Sequence, residues 1–216
     1  MLEEIQMNYI CLIGIFIVAY LIGSVSSAII VGRVMTGEDI RKKGSGNAGA
    51  TNTLRTLGKK AAAIVTVCDC LKAVVAILIA KLIAYLAGMD GYFSDVAVYT
   101  AGIGAVLGHN FPVYFGFKGG KGVLVSMVAM LFADWRIGLA VMIAAILIMA
   151  VTRYVSLGSV LGAVLLVVLA LIFRLGDTPY IVFCIICAAL AVFMHRGNIK
   201  RLLSGTENKL GAKKTN

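Results

Sequence analysis

Seven apolar runs, separated by short polar segments, constrain the fold of this chain more than any other feature. The runs cover residues 8–32, 61–87, 96–111, 122–133, 137–152, 156–174 and 179–194. Most of them approach the roughly 20 apolar residues that a helix needs to span a membrane. A chain of 216 residues that is 61% hydrophobic has more apolar surface than a water-soluble core of that size can bury. The runs lack the alternating pattern of a membrane β-barrel, so we predict a helical membrane protein.

The predicted fold is all-α, a polytopic membrane helical bundle. It has seven transmembrane helices, with short or partial helices around a site at the cytoplasmic face. Run 122–133 is the shortest, and it could instead join run 137–152 in one bent element, which would leave five or six spans. We favour seven because Asp134 and Arg136, between these two runs, are costly at mid-membrane and common at an interface.

The distribution of charge predicts the side of the membrane on which each end lies. With seven spans and the N-terminus outside, most of the 20 lysines and arginines lie in the cytoplasm, as the positive-inside rule requires. The net charge of +10 therefore needs no nucleic acid as a partner, and the C-terminus is expected to be cytoplasmic. We expect one domain over residues 1–207 and a mobile basic tail over residues 208–216. The polar, glycine-rich segments then all face the cytoplasm: 41–60, 108–122, 152–159 and 195–210.

The first polar segment, residues 43–55, reads KGSGNAGATNTLR. Its glycines permit positive φ and a close backbone approach, so that several N–H groups can point at one anion. Arg55, about one turn into the next helix, adds a planar guanidinium suited to phosphate or carboxylate. The competing interpretation is a flexible cytoplasmic loop. The other candidate ligands are Ser45, Gly46, Asn47, Thr51 and Asn52.

The second polar segment, residues 108–122, reads GHNFPVYFGFKGGKG and precedes an apolar helix. The N-terminus of such a helix offers N–H groups to an anion. The segment resembles a Walker loop, but Gly122 stands where Ser or Thr would bind magnesium, so phosphate is favoured and a nucleoside triphosphate is not. The alternative is an interfacial turn whose lysines extend to water. The candidate ligands are His109, Lys118, Gly119, Gly120, Lys121 and Gly122.

Two further cytoplasmic segments carry weaker signals. His195 and Asn198 stand three residues apart after the last run, so a helix would place them on one face. His195 could serve as a base or a charge carrier near neutral pH. Arg153 and Ser156 offer a guanidinium and a hydroxyl at the same membrane face. Glu207 is the only acid of the basic C-terminal segment and could pair with loop cations.

No metal site is expected. The chain has two histidines, and its carboxylates are scattered without the spacing of a metal site or a catalytic triad. Asp69 and Lys72 lie three residues apart within the second run, where unpaired charges are costly. We expect them to pair with each other or with a loop that folds into the bundle, and we do not expect Asp69 to be catalytic.

Three segments, in order, resemble the motifs of one enzyme family. Residues 44–55, 108–122 and 195–207 are similar to the three motifs of the bacterial acyl-phosphate-dependent glycerol-3-phosphate acyltransferases of the inner membrane. The resemblance covers about residues 8–207 and shows no departure at a motif position. It implies a seven-helix enzyme that moves a fatty acyl group from acyl phosphate to the 1-hydroxyl of sn-glycerol 3-phosphate. The implied products, from the first acylation of phospholipid synthesis, are lysophosphatidic acid and phosphate.

The resemblance also implies roles for individual residues and partners. Its second motif matches a glycerol-3-phosphate-binding loop, and the position of Glu207 is structural. The implied partners are acyl phosphate, glycerol 3-phosphate, the lipid bilayer and the soluble enzyme that makes acyl phosphate, with no cofactor. The positions that match residues needed for activity are Ser45, Arg55, His195 and Asn198.

Because an acyl phosphate is already activated, we expect direct transfer without a covalent intermediate. The side chains assigned to glycerol 3-phosphate are those of Arg55, Lys121, His195 and Asn198. The groups assigned to acyl phosphate are Ser45, Asn47, Thr51, Ser156 and the amides around Gly119 and Gly120. The proton acceptor stays open among His195, His109 and the phosphate of the donor.

Two other functions compete with acyl transfer. A membrane transporter of an organic phosphate would suit the glycines, lysines and short helices at mid-chain. Against it, the polar groups cluster at one face and no repeat is visible. A phosphotransferase of lipid head groups would usually need metal-binding acid clusters, which this sequence lacks. The His-x4-Asp signature of CoA-type acyltransferases is also missing, because Tyr114 and Lys200 stand five residues after the two histidines.

Overall fold

The computed structural model describes residues 2–211, and the chain divides into two compact units, Met1–Ala133 and Asp134–Asn216. Met1 and residues 212–216 lie outside the described residues. The predicted mobility of the last part of the tail therefore lies outside them as well. Among residues 2–211 every regular element is helical, which confirms the all-α class. The expectation of one domain over residues 1–207 stays a prediction, and each unit is described by itself.

The first unit contains α1 (Leu2–Gly23), α2 (Ser27–Thr36), α3 (Ala50–Leu57), α4 (Lys59–Leu86), α5 (Gly91–Asn110) and α6 (Val123–Ala133). Short 3-10 turns precede α3 and follow α5, at Ile40–Lys42 and Val113–Phe115. The second unit contains α7 (Trp135–Thr152), α8 (Val155–Phe173), α9 (Thr178–Met194) and α10 (Arg196–Leu203). All seven apolar runs of the sequence therefore fold as helices.

The structure confirms a bundle with several membrane-spanning helices. Five elements within residues 2–211 are long and apolar enough to cross a membrane: Leu2–Thr36, Lys59–Leu86, Gly91–Phe115, Trp135–Thr152 and Val155–Phe173. The number rises to six when α9 and α10, bent by 60° at a short break, are taken as one span. Helix α6 has 11 residues, and at about 1.5 Å per residue it covers roughly half of a hydrocarbon core. The count of seven spans therefore stays a prediction.

The first apolar run is broken, because the chain leaves the helical conformation between α1 and α2. Ser26 has an extended backbone, with φ −92° and ψ 95°. The carbonyl oxygen of Val25 accepts a hydrogen bond of 2.9 Å from Lys72 Nζ of α4. Lipid offers no such partner, so irregular backbone at membrane depth depends on donors from neighbouring helices.

Helices α1 and α5 pack with their backbones in contact, because glycines remove the side chains at the crossing. A Cβ atom at Gly104 would lie 2.8 Å from the carbonyl oxygen of Phe16, and one at Gly108 would overlap the carbonyl oxygen of Tyr20. The spacing of four places both glycines on one face of α5, as in closely packed membrane helices. This packing fixes the end of α5, where the second polar segment begins.

In the second unit an ionic group joins the starts of α7 and α9 to the end of α8. Asp134 and Asp177 cap α7 and α9, and the backbone N–H of Tyr180 donates to Asp177 Oδ1 at 3.1 Å. Arg174 Nη1 donates to Asp134 Oδ2 at 3.0 Å and also pairs with Asp177. Carboxylates are favourable at helix N-termini, where backbone N–H groups lack partners within the helix.

Candidate active site

The first polar segment is built around the side chain of Asn52, which is completely buried. Its Oδ1 accepts hydrogen bonds from the backbone N–H and the hydroxyl of Ser45, at 2.8 and 3.1 Å. Its Nδ2 donates to the carbonyl oxygens of Ile40 and Lys43, at 3.2 and 3.1 Å. Gly44 has φ +61°, and a Cβ there would overlap Asn52 Oδ1. Asn52 therefore holds the loop together, and its predicted contact with substrate stays a prediction.

The other candidate side chains of this segment lie at or near its surface. Ser45 and Arg55 are exposed, and Arg55 stands on α3 as the sequence predicted. Asn47 and Thr51 are half-buried, and Thr51 lies in the first turn of α3. The segment therefore presents a hydroxyl, a carboxamide and a guanidinium outside the buried amide of Asn52.

The two glycine-rich segments lie side by side in the first unit. A Cβ atom at Gly120 would stand 2.6 Å from the carbonyl oxygen of Ala48 and would overlap His109 Nε2. The absence of a side chain at Gly120 therefore lets the second segment touch the first. Both segments consequently belong to one surface region, as a shared phosphate site requires.

Arg41 ties the same two segments together. Its Nη1 donates to the carbonyl oxygens of Phe115 and Lys118, both at 2.8 Å, and its Nη2 pairs with Asp39 Oδ2 at 2.7 Å. The hydrogen bond from Arg41 lowers the pKa of the Asp39 carboxyl to about 2. The carboxylate thus stays charged at neutral pH and keeps the guanidinium in place.

The second segment uses some of the N–H groups that the sequence assigned to a ligand. The N–H of Gly119 donates to the carbonyl oxygen of Asn110, and that of Gly120 to the carbonyl oxygen of His109, both at 3.1 Å. These two amides therefore do not point at an anion in this structure, because turn formation takes their protons. Lys118 is exposed and Lys121 is half-buried, and Gly122, with φ +73°, immediately precedes α6. The lysines and the first turn of α6 are the groups of this segment that can still bind an anion, and their contact with substrate stays a prediction.

His109 is buried at the end of α5, with 7% of its surface exposed. Its Nδ1 lies 2.9 Å from Lys72 Nζ and 3.6 Å from Asp69 Oδ1. Lys72 Nζ also pairs with Asp69 Oδ1 at 3.0 Å, which confirms the pairing expected from their spacing. One edge of the His109 ring thus contacts the glycine-rich segments, and the other edge contacts the buried ion pair of Asp69 and Lys72.

In the second unit, the carboxylate of Glu207 accepts hydrogen bonds from three polar side chains. Glu207 Oε1 accepts from Asn198 Nδ2 at 2.7 Å and from Ser156 Oγ at 3.0 Å, and Oε2 accepts from Arg201 Nε at 2.8 Å. Burial disfavours the charged carboxylate, but these three donors outweigh that effect and lower its pKa below the ordinary value. The geometry supports the structural role predicted for Glu207, and it commits the hydroxyl proton of Ser156 to this carboxylate.

We expect Glu207→Gln to lower the stability of the purified protein. A glutamine amide would direct its own N–H at Arg201, so a charge-assisted hydrogen bond of about 1.5–3 kcal/mol would be lost. The folded-state pKa of this carboxyl is lowered, so its stabilising effect is present above the ordinary glutamate range and is lost as the pH falls below it. Thermal unfolding in detergent measures the change, with Glu3→Gln, an exposed carboxylate, as the control. An unchanged melting temperature in Glu207→Gln would contradict this role.

His195 lies at the bend between α9 and α10 and is 2% exposed. Its Nδ1 is 2.7 Å from the carbonyl oxygen of Ala191. A carbonyl oxygen only accepts, so Nδ1 carries a proton and Nε2 is the nitrogen that can take one up. Asn198 stands in the first turn of α10, which begins directly after His195.

Arg153 ends α7 and holds the start of the C-terminal tail. Its backbone adopts φ +61°, and its Nη2 and Nε donate to the carbonyl oxygen of Leu210 at 2.9 and 3.2 Å. The backbone N–H of Leu210 donates in return to the carbonyl oxygen of Arg153 at 2.7 Å. Arg153 therefore anchors the described part of the tail, and its predicted contact with substrate stays a prediction.

Three residues of the first unit were not among the site residues predicted from the sequence: Arg41, Lys72 and Asn110. Arg41 counted only as one of many cytoplasmic cations, and Lys72 only as a partner of Asp69. Asn110 is 1% exposed, and its amide atoms lack a hydrogen-bond partner among the described residues. A Cβ at Gly122 would lie 2.6 Å from Asn110 Oδ1, so this amide packs directly against Gly122 at the other end of the second segment. Among residues 2–211 no group of three or more His, Cys, Asp or Glu side chains could hold a metal ion.

Comparison with known proteins places the chain in a family. The profile described as "Glycerol-3-phosphate acyltransferase" matches residues 13–205. The glycerol-3-phosphate acyltransferase of Thermoanaerobacter sp. (strain X514) is 47% identical over 197 residues, which cover 91% of this chain and 94% of that protein. The enzyme of the same name from Clostridioides difficile (strain 630) is 44% identical over 200 residues, which cover 93% and 96%.

A solved structure of a protein with the same name has a similar fold. It is described as PlsY (YgiH), an integral membrane glycerol 3-phosphate acyltransferase, in its glycerol 3-phosphate form. It is 34% identical, covers 93% of this chain and 96% of its own, and superimposes with a TM-score of 0.80. A second structure of that description, in the lysophosphatidic acid form, has 32% identity and a TM-score of 0.77. The chain therefore belongs to the glycerol-3-phosphate acyltransferase family of integral membrane proteins.

Proposed function

We propose that this chain transfers a fatty acyl group from acyl phosphate to the 1-hydroxyl of sn-glycerol 3-phosphate. The products are lysophosphatidic acid and inorganic phosphate. The observation that carries the proposal is the contact between two glycine-rich segments, around Gly120 and Ala48, in the first unit. Both substrates contain phosphate, and these segments bring lysines, Arg55 and a helix N-terminus to one region. The relatives solved with glycerol 3-phosphate and with lysophosphatidic acid agree with this choice of acceptor and product.

Direct transfer suits both the donor and the residues present. An acyl phosphate is a mixed anhydride, so the attacking hydroxyl can displace phosphate without an acyl-enzyme intermediate. Holding the two reactants at attack distance is worth about 7–11 kcal/mol in favourable intramolecular reactions. Fixed donors then stabilise the charge that grows on the carbonyl oxygen and on the departing phosphate.

Roles in the first unit follow from exposure and charge. Arg55 and Lys121 bind the phosphate of glycerol 3-phosphate, since a guanidinium can form two parallel hydrogen bonds with it. Ser45, Asn47 and Thr51 bind the acyl phosphate from the first segment. The second segment contributes its lysines and the first turn of α6, since the N–H groups of its two middle glycines are already used.

The roles of His195 and Asn198 in binding glycerol 3-phosphate rest on the resemblance of the third motif. His195 is a candidate for the proton acceptor because its Nδ1 proton is committed to a backbone carbonyl. The departing phosphate is another candidate, because it needs no protein base, and His109 is the third. Substitution of His195 by glutamine separates His195 from the other two, since turnover that does not depend on His195 as the base would survive it in part.

The chain is proposed to lie in the bacterial inner membrane with its N-terminus outside, its C-terminus in the cytoplasm and its active site at the cytoplasmic face. The cationic loops of the sequence support this orientation. Acyl phosphate is a mixed anhydride and hydrolyses in water. Direct delivery by the soluble enzyme that makes it would therefore suit such a site. Accessibility of single cysteines placed in the two glycine-rich segments tests the orientation.

One assay tests the proposed function against its competitors. Purified protein in detergent is mixed with acyl phosphate and radiolabelled glycerol 3-phosphate, without added metal. We expect labelled lysophosphatidic acid, and no product when acyl-CoA replaces acyl phosphate. Failure to form product, together with uptake of labelled glycerol 3-phosphate into vesicles that contain the protein, would favour a transporter.

We expect no acyl group on Ser45 during turnover. Its hydroxyl donates to Asn52 Oδ1 at 3.1 Å, and within residues 2–211 it makes no hydrogen bond to a basic side chain. Protein incubated with radiolabelled acyl phosphate alone, quenched in acid and digested, should yield no labelled peptide from residues 43–55. A labelled peptide that disappears in Ser45→Ala would show a covalent intermediate and overturn direct transfer.

A further inference from the structure

A buried polar cluster connects α4 with the end of α5 behind the glycine-rich segments. Asp69, Lys72 and His109 are 2%, 8% and 7% exposed. Lys72 Nζ contacts three acceptor sites: the carbonyl oxygen of Val25 at 2.9 Å, Asp69 Oδ1 at 3.0 Å and His109 Nδ1 at 2.9 Å. Ser27 Oγ donates to Asp69 Oδ1 at 2.8 Å. The three contacts of Lys72 match the three N–H donors of an ammonium group.

The charge state of Lys72 decides where the imidazole proton of His109 lies. If both the amine and the imidazole were neutral, the Asp69 carboxylate would be an uncompensated charge in a buried site, which is strongly unfavourable. Of these two bases the amine has the much higher ordinary pKa, so Lys72 holds the proton. The ammonium form avoids that cost, and an ammonium nitrogen has no lone pair with which to accept a hydrogen bond. His109 Nδ1 must therefore be the acceptor, and the single proton of the neutral ring lies on Nε2.

This tautomer directs a donor at the second glycine-rich segment. His109 Nε2 lies against Gly120, at the point where that segment meets the carbonyl oxygen of Ala48. Within residues 2–211, Nε2 makes no hydrogen bond, whereas Nδ1 contacts Lys72. A ligand phosphate held by this segment would supply an acceptor.

We propose that Asp69 and Lys72 are positioning residues that hold His109 as the neutral tautomer protonated at Nε2. His109 then donates a hydrogen bond to a substrate phosphate at the 108–122 segment and does not serve as the base. The inference rests on the proposed function for the identity of the ligand, but the protonation pattern of His109 does not depend on it.

The two histidines of the chain thus have opposite proton positions. His195 donates through Nδ1 to the carbonyl oxygen of Ala191, which leaves Nε2 as a proton acceptor. His109 accepts at Nδ1 from Lys72, which leaves Nε2 as a donor. Of the three candidates for the proton acceptor, His109 is therefore removed, and His195 and the donor phosphate remain.

Nitrogen-15 NMR of the intact protein tests the tautomer without any substrate. Because the chain has two histidines, selective histidine labelling yields two rings, and His195→Gln identifies the signals of His109. We expect His109 to show a protonated Nε2 and an unprotonated Nδ1 at neutral pH. A proton on Nδ1, or on both nitrogens, would overturn the inference whether or not the protein transfers acyl groups.

A double substitution tests the positioning role. Lys72→Met alone would leave Asp69 as an unpaired buried charge, so Asp69→Leu is combined with it to remove both charges. The carbonyl oxygen of Val25 also loses its donor in this variant, so folding is checked first. In the folded double variant we expect a mixture of His109 tautomers and turnover lower by about 10-fold, with kcat affected at saturating glycerol 3-phosphate. A single Nε2–H tautomer with parental kcat would show that the pair does not position His109. If the double variant does not fold, the NMR result on the parent protein decides whether His109 carries its proton on Nε2.

Substitutions of His109 itself separate a donor from a base. Glutamine can place an N–H near the position of Nε2, whereas methionine fills the space without a donor. We expect His109→Met to lose about 100-fold in turnover, the usual effect of removing one fixed donor, and His109→Gln to lose no more than about 10-fold. Equal losses in both variants would indicate that His109 works as a base or by packing. If the parent protein transfers no acyl group, the proposed function fails and the NMR result still stands.

Discussion

Gly120→Ala is expected to reduce turnover by about 100-fold or more. A Cβ atom at this position would overlap His109 Nε2 and lie 2.6 Å from the carbonyl oxygen of Ala48. One of the two glycine-rich segments would have to move away from the other, and a displacement of about 1 Å at a reacting centre can cost about 100-fold. Steady-state kinetics with acyl phosphate and glycerol 3-phosphate measure the loss.

The matched control is Gly14→Ala, because a Cβ atom at Gly14 of α1 would have no neighbouring atom within 4 Å. We expect this variant to keep the parental kcat and melting temperature. The clash of Gly120→Ala involves His109 Nε2 and the carbonyl oxygen of Ala48, and size-exclusion chromatography checks that the variant folds. Parental turnover in a folded Gly120→Ala protein would refute a shared phosphate site in the first unit.

Arg55→Ala is expected to lower kcat/KM for glycerol 3-phosphate by about 100-fold or more. Loss of one partner of a bound, hydrogen-bonded charge pair typically costs about 2–5 kcal/mol, and the phosphate of the substrate would lose its guanidinium. Arg55→Lys keeps the charge but not the planar pair of donors, so we expect an intermediate loss. Kinetics at varied glycerol 3-phosphate and saturating acyl phosphate give the values.

Lys60→Ala serves as the control for Arg55→Ala, because Lys60 is another exposed cation, located just inside α4. A general electrostatic attraction of substrate to a basic surface would make the two variants similarly weak and would disappear in high salt. A specific phosphate contact predicts a loss in Arg55→Ala that persists in salt. Similar kinetics for the two alanine variants would remove Arg55 from the site.

The helical class could be predicted from the sequence, because hydropathy reports directly on burial in lipid. The break in the first run could not. Residues 8–32 read as one continuous apolar span, and the break depends on Lys72 of a different helix donating to the carbonyl oxygen of Val25. The glycine and the serines of residues 23–27 are compatible with a break, but they do not identify Lys72 as the partner.

The choice of candidate site residues stays a prediction, but the hydrogen bonds inside the polar segments are visible only in the structure. Glycines, lysines and arginine indicate anion binding wherever they occur together, which is why Ser45 and Arg55 could be selected. The sequence does not show that the side chain of Asn52 is buried, or that the N–H of Gly120 donates to the carbonyl oxygen of His109. Side-chain amides and backbone amides can serve either a loop or a ligand, and the choice is made by the three-dimensional path of the chain.

The hydrogen bond from Lys72 to Val25 has a consequence for biogenesis. Helices α1 and α2 are synthesised before α4, so the carbonyl oxygen of Val25 meets its side-chain donor only after Lys72 has been made. Helix α5 follows and brings His109, which also contacts the ammonium group of Lys72. We therefore expect the break between α1 and α2 to become fixed late in synthesis, once both of these later helices have packed.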